Sequence, residues 1–289
     1  MIFNSYAKLN LYLKILNKRS DGYHNLRTLF ERISLSDRIT VTLRRDNLIK
    51  VSCNSKDVSC DTSNLAYRAA KLLQEKFRLK KGANIRIIKH IPVGAGLGGG
   101  SSNAATVLLA LVKLWKLRIS RKKLAKLAVC LGADVPFFIY EAPFAVSGGI
   151  GEKIKLITGL NNIKLWHLLI VPRLKVPTPH IYREWDKARL ALTRQGNDVK
   201  MLSLGLKKKD FTLVNRTLFN SLEAITARLY PVISGIKKEL FGIGCKSVLM
   251  SGSGPAVYAV FPLRKEAVSR YKQFKAKRRG WRIFLCSTK

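Results

Sequence analysis

Residues 91–105, IPVGAGLGGGSSNAA, constrain this chain more than any other segment: five glycines crowd a turn that ends in two serines and opens onto an apolar run. Glycine lets backbone amides converge with no Cβ in the way, and a following helix offers free N–H groups and the positive end of its dipole to an anion. Ala104, Ala105, Val107, Leu108, Leu111, Val112 and Trp115 recur at roughly helical spacing, so the run from Ser102 predicts a helix. Ile85, Ile87 and Lys89 alternate ahead of the loop, which predicts the order strand, glycine loop, helix. Such a segment is built to hold phosphate, although a plain flexible turn also fits its composition.

Two familiar loops are excluded. A Walker A loop needs Gly-Lys-Ser/Thr, and Gly100 is followed directly by Ser101. The dinucleotide fingerprint finds its spacing in Gly94, Gly96 and Gly99, but no acidic residue stands about 20 positions further on.

The chain has 289 residues, 47% of them hydrophobic, enough for a sizeable core and two domains. No apolar run approaches the ~20 residues of a membrane span, and MIFNSYAKLN lacks a charged n-region and an h-region. A cytoplasmic protein with no membrane partner is expected. The five cysteines are odd in number and form no CxxC pair, so neither a disulfide frame nor a zinc site is indicated. Lys and Arg outnumber Asp and Glu 54 to 17, a net charge of +37 that attracts polyanions and anionic substrates alike. Clusters such as Arg121-Lys122-Lys123 come without an RNP-like or zinc-finger motif, so no specific nucleic-acid partner is expected.

Along the chain, 39–43 and 49–52 read as strands, 64–77 as a helix, and 120–131 as a helix capped by Ser120 and ended by Gly132. Asp134 lies just past that end, with Val135 expected to be extended because Pro136 follows it. The carboxylate is thus presented by a stiff segment, or else serves as an Asx-type cap. Proline density from Pro172 to Pro179 marks a linker or crossover. Residues 198–240 read as helical, 251–256 (SGSGPA) as a turn between strands 247–250 and 257–261, 264–277 as a helix and 281–286 as a last strand.

Three separated segments coincide with one family: AKLNLYLKI (7–15) with RSDGYHNLRTLF (19–30), PVGAGLGGGSSNAA (92–105), and SGSGPAVYAVF (251–261). The chain resembles the GHMP superfamily of small-molecule kinases, which includes galactokinase, homoserine, mevalonate and phosphomevalonate kinases. GLGGGSS in place of the superfamily's GLGSS, together with DGYH (21–24), places the resemblance in its diphosphocytidyl branch. The resemblance implies an α+β, two-domain GHMP kinase fold: an N-terminal domain like ribosomal-protein S5 domain 2 over 1–165, a ferredoxin-like C-terminal domain over 166–289, and an active site in the interdomain cleft.

It further implies ATP and Mg²⁺ as cofactors and 4-diphosphocytidyl-2-C-methyl-D-erythritol as the small-molecule substrate, phosphorylated on its 2-hydroxyl in the methylerythritol phosphate route to isoprenoid precursors. By the same resemblance Lys8 and Asp134 are catalytic. Pro92, Gly94, Gly96, Gly98, Gly99, Gly100, Ser101 and Ser102 hold the phosphates, with Ser102 near Mg²⁺, while Asn64 and Lys89 lie near the adenine. Asn10, Tyr23, His24, Thr178 and Tyr182 hold the acceptor, as a monomer or homodimer. Chemistry agrees about Asp134: an alcohol must lose its proton as the phosphoryl group arrives, and a carboxylate can take it. Alternation along 8–13 puts Lys8 and Asn10 on one strand face and Leu9, Leu11 and Leu13 on the other. The alternatives are another kinase of the superfamily, acting on homoserine or mevalonate, and a basic RNA-binding protein.

Overall fold

The computed structural model describes residues 1–188, 198–277 and 280–289. In chain order these form β1 (Ile2–Lys18), β2 (His24–Arg44), β3 (Ile49–Cys53), α1 (Leu65–Lys76), β4 (Gly82–Ile88), α2 (Gly99–Leu114), α3 (Arg121–Ala128), α4 (Val135–Tyr140), β5 (Phe144–Gly148) and β6 (Lys153–Leu156). There follow β7 (Trp166–Val171), α5 (Thr178–Ala188), α6 (Val199–Lys208), α7 (Phe211–Thr217), β8 (Phe219–Asn220), α8 (Glu223–Leu229), α9 (Val232–Gly242), β9 (Val248–Met250), β10 (Val257–Phe261), α10 (Arg264–Lys277) and β11 (Arg282–Ser287).

The strands make two sheets. The first runs β3-β4-β2-β1-β8, with β5 paired to β2 and β6 to β5. The second runs β11-β7-β10-β9, with every neighbouring pair antiparallel. Numbered by their own chain order, its strands lie 4-1-3-2 around two crossovers, the ferredoxin-like arrangement; α5 to α9 and β8 extend the first crossover. The second sheet begins at Trp166. Its chain nevertheless returns to the first sheet, where Phe219 and Asn220 pair with Tyr12 and Leu13 and Thr288 bridges Ile33.

Three apolar clusters account for the layering. One packs α1 to α4 on the first sheet through Ile39, Val41, Ala69, Leu73, Ile85, Leu108 and Leu111. A second lies between the sheets, where Leu9, Leu11 and Tyr12 meet Leu169, Val171 and Tyr258. The third covers the far face of the second sheet with Ile181, Ile225, Ile236 and Phe274. Each leucine buried in these clusters contributes about 1.5–3 kcal/mol, and β1 is buried without a break from Ala7 to Leu13.

Several expectations are corrected. β2 is 21 residues long rather than the five read at 39–43, because its charged residues broke the alternation that marks a strand. Val135 is not extended: it opens α4, with Pro136 in the first turn, where a missing N–H costs nothing. The proline-rich linker ends at Val176–Pro177, and Thr178 already begins α5. Alternation along β1 also fails beside the site, since a bulge between Asn10 and Tyr12, one of three register shifts against β2, pairs Asn10 with Phe30 and Tyr12 with Leu29. Leu13 therefore turns to the same side as Lys8 and Asn10 and borders their cavity.

Candidate active site

The glycine loop folds as the spacing of its residues predicts, but its helix starts earlier. α2 begins at Gly99, and its N-cap is Gly98, left-handed at φ +68°, with no side chain capping it. The backbone N–H groups of the first turn are thus left to an external acceptor. Gly96, at φ +74°, touches the SGSGPA turn: a Cβ there would stand 2.2 Å from the Ser251 carbonyl oxygen. Ser251 Oγ donates to the Gly96 carbonyl at 3.0 Å, so the two glycine turns, 155 residues apart, are joined.

A residue the sequence did not single out anchors this loop. Asp37 is fully buried on β2. Its Oδ1 accepts from the backbone N–H groups of His90 (2.7 Å) and Ile91 (2.9 Å), and its Oδ2 from Asn103 Nδ2 (2.9 Å) and from the Lys89 ammonium. One carboxylate thereby ties together β2, the segment just after β4 and the second turn of α2. Asp37→Ala should cost about 3–5 kcal/mol in equilibrium urea unfolding, because it leaves the Lys89 charge buried and unmatched. Unfolding at the wild-type midpoint would show that the pair contributes nothing.

Lys8 and Asp134 meet beside this loop. Lys8 Nζ lies 3.6 Å from Asp134 Oδ2, the lysine side chain 5% exposed and the aspartate 32%, so the carboxylate is the member open to a ligand. Lys8 Nζ donates to Asn10 Oδ1 at 2.6 Å, and Asn10 Nδ2 donates to Thr28 Oγ1 at 2.9 Å, which fixes the ammonium from behind. Burial pushes the Lys8 ammonium below its ordinary value, against the opposing pull of the Asp134 charge. Asp134 sits at the N-cap of α4 yet makes no capping bond, so its carboxylate is not spent on the backbone.

Two cavities flank this pair. A pocket of about 400 Å³ is lined by Asn64, Lys89, Pro92, Gly94 through Gly100, Ser101 and Asn103. A cavity of about 670 Å³ is lined by Lys8, Asn10, Tyr23, His24, Thr28, Asp134, Thr178, Tyr182 and Ser253, among others. Gly96 and Gly98 border both. In the larger cavity His24 packs on Tyr182 (centroids 5.2 Å) and edge-on to Trp185 (5.7 Å), and His24 Nε2 lies 2.6 Å from Asp186 Oδ1. Burial and the nearby Asp134 charge push the Tyr182 phenol up, keeping it neutral. Thr178 Oγ1 bonds Ser253 Oγ at 2.7 Å, joining α5 to the SGSGPA turn. Tyr23 is exposed at the cavity wall.

One expected position, Ser102, differs in detail from what the resemblance implies. Ser102 is buried, accepts from Ser5 Oγ at 2.8 Å and borders neither cavity, whereas Ser101 lines the loop pocket. The Asn64 side chain caps α1, accepting from Ala66 N at 2.8 Å, and the Lys89 ammonium is held by Asp37. Sequence reasoning missed Asp37, Lys18, Arg183 and Asp186. Asp37, Lys18 and Asp186 are ordinary charged residues until the fold brings their partners from far along the chain, and Arg183 until it reaches the cavity wall.

A family model described as the GHMP kinases N terminal domain matches residues 64–142, and one described as GHMP kinases C terminal matches 203–278. Proteins named 4-diphosphocytidyl-2-C-methyl-D-erythritol kinase are similar along most of the chain: that of Bacillus velezensis is 42% identical over 88% of this chain and 86% of its own, and that of Syntrophotalea carbinolica 40% over 96% and 95%. A crystal structure of 4-(cytidine 5'-diphospho)-2C-methyl-D-erythritol kinase superposes with a TM-score of 0.83 at 34% identity, covering 99% of this chain and 98% of that one. Homoserine kinase from Cytophaga hutchinsonii shares the fold at a TM-score of 0.75 and 18% identity, covering 98% of this chain and 93% of its own. From its two domain matches and its similarity to these relatives along most of its length, the chain belongs to the 4-diphosphocytidyl-2-C-methyl-D-erythritol kinase family of the GHMP kinases.

Proposed function

We propose that this protein transfers the γ-phosphoryl group of ATP to the 2-hydroxyl of 4-diphosphocytidyl-2-C-methyl-D-erythritol, supplying the isoprenoid precursor route from the cytoplasm. The observation that carries this reading is the position of Lys8 and Asp134 on the wall of the larger cavity where it meets the glycine loop at Gly96 and Gly98. The smaller pocket then takes the triphosphate, with the uncapped first turn of α2 turned toward its oxygens. The larger cavity takes the acceptor. We read 1–165 and 166–289 as the two domains whose cleft this is.

In that arrangement Asp134 accepts the proton of the attacking hydroxyl as the phosphoryl group arrives, and Lys8 stabilises the charge that develops on the oxygen. Asn10 holds the lysine in place and leaves it free to face the acceptor. The aromatic and imidazole groups of the cavity hold the base, and Lys18 and Arg183 on its wall suit the diphosphate. Mg²⁺ neutralises charge on the ATP phosphates when bound. Among the described residues no group of three or more His, Cys, Asp or Glu could hold a metal. Ser101, which lines the loop pocket, would be the side chain to hold the ion beside the ATP phosphates.

The test is ATP turnover against a panel of the cytidyl alcohol, its diphosphouridyl analogue, homoserine and mevalonate. Turnover should be efficient with the first alone, since uracil leaves buried donors and acceptors mismatched. Efficient phosphorylation of homoserine or mevalonate would place the chain's activity in another branch of the superfamily.

A further inference from the structure

We propose that Asp186 sets the base specificity of the acceptor cavity by fixing the tautomer and orientation of His24. The inference rests on the cytidyl acceptor named above. Tyr182, Trp185 and Asp186 stand at i, i+3 and i+4 of α5, so one helix face delivers all three to the same imidazole. The His24 side chain is 3% exposed, gripped by Tyr182 on its face and Trp185 at its edge.

The carboxylate decides which nitrogen carries the hydrogen. Burial pushes the Asp186 carboxyl up, but hydrogen bonds from Lys18 and His24 outweigh it and hold the group below its ordinary value, ionised at neutral pH. An ionised carboxylate only accepts, so His24 Nε2, at 2.6 Å from Oδ1, is the donor. Lys18 Nζ occupies Oδ2 at 2.6 Å, so the Asp186 charge is already matched. In a neutral ring protonated at Nε2, Nδ1 is a pure acceptor and the one ring nitrogen left for a ligand.

An acceptor at that point distinguishes the two pyrimidines. Cytosine presents an amino donor where uracil presents a carbonyl oxygen, so Nδ1 pairs with the first and faces a second lone pair in the other. The discrimination then belongs to Asp186 as a positioning residue as much as to His24. An asparagine at 186 keeps the size of the side chain but offers either an oxygen or an amide N–H to Nε2, which admits the opposite tautomer.

Asp186→Asn should lower the ratio of kcat/KM for the cytidyl alcohol over its diphosphouridyl analogue by about tenfold or more, while the KM for ATP stays at the wild-type value. The ¹⁵N shifts of the His24 ring should report an Nε2–H tautomer in the wild-type enzyme and a mixture in the variant. An unchanged ratio would overturn the proposal, and so would a wild-type ring protonated at Nδ1, a result that does not depend on the variant folding. A wild-type enzyme that fails to turn over the cytidyl alcohol at all would defeat the functional reading instead, with the tautomer still read independently.

Discussion

Asp134→Asn lowers kcat by roughly 10²- to 10⁴-fold while the affinity for ATP stays nearly intact, the range expected when a general base is removed and binding is not. The expectation follows from what the carboxylate does and does not touch. It makes no capping bond at the head of α4, so the asparagine removes no backbone interaction on which the helix depends. Its neighbour is the Lys8 ammonium at 3.6 Å, and it is the more exposed partner, on a cavity wall that also carries Asn10 and Thr28. Asparagine fills the same space but cannot take a proton from an alcohol whose pKa is near that of water. Single-turnover kinetics separates this from a binding defect, and calorimetry with a non-hydrolysable ATP analogue checks the nucleotide side. Turnover within a few-fold of wild type would remove Asp134 from the chemistry and leave Lys8 with only a structural partner.

How much of this site the sequence discloses depends on how local each signal is. The glycine loop, the apolar face of α2 and the strand-turn-strand at 247–261 are local patterns, and all three are present. The apolar run from Ser102 puts the start of α2 three residues late, because Gly98 caps it with no side chain to mark the boundary among its neighbouring glycines. Packing explains why: a Cβ on Gly98 would lie 3.0 Å from Phe138 and 3.1 Å from Lys8. Asp37 and Asp186 could not be found this way. Asp37 finds Lys89 52 residues away and His24 finds Asp186 162 residues away, and nothing near either aspartate distinguishes it from a solvated charge. The bulge at Leu11 is likewise invisible in β1 alone, since it is the pairing with β2 that requires the extra residue. Lys8, Asn10, Tyr23, His24, Thr178 and Tyr182 do come to one cavity, although they span 175 positions from first to last.

Gly96→Ala abolishes most activity and destabilises the protein, whereas Gly94→Ala, two residues earlier, produces only the smaller loss that backbone strain predicts. Both glycines are left-handed, at φ +74° and +67°, so an alanine at either one carries a conformational cost of about 1–2 kcal/mol. The difference lies in what surrounds them. A Cβ on Gly94 meets nothing within 4 Å, while one on Gly96 would stand 2.2 Å from the Ser251 carbonyl oxygen and 3.2 Å from that of Gly254. Those atoms are backbone and cannot rotate aside. The SGSGPA turn is also held from its own side, by the Asn220 amide on Met250 and Gly252 and by Thr178 on Ser253. The loop must therefore move by about 1 Å, carrying Gly98 and the head of α2 away from Lys8 and Asp134, and a shift of that size costs on the order of 10²-fold in rate. Thermal unfolding and kcat/KM of the two variants, measured side by side, give the answer. Equal stability and equal turnover in Gly96→Ala and Gly94→Ala would mean that the two glycine turns are not locked together, and that the phosphate loop takes its position from α2 alone.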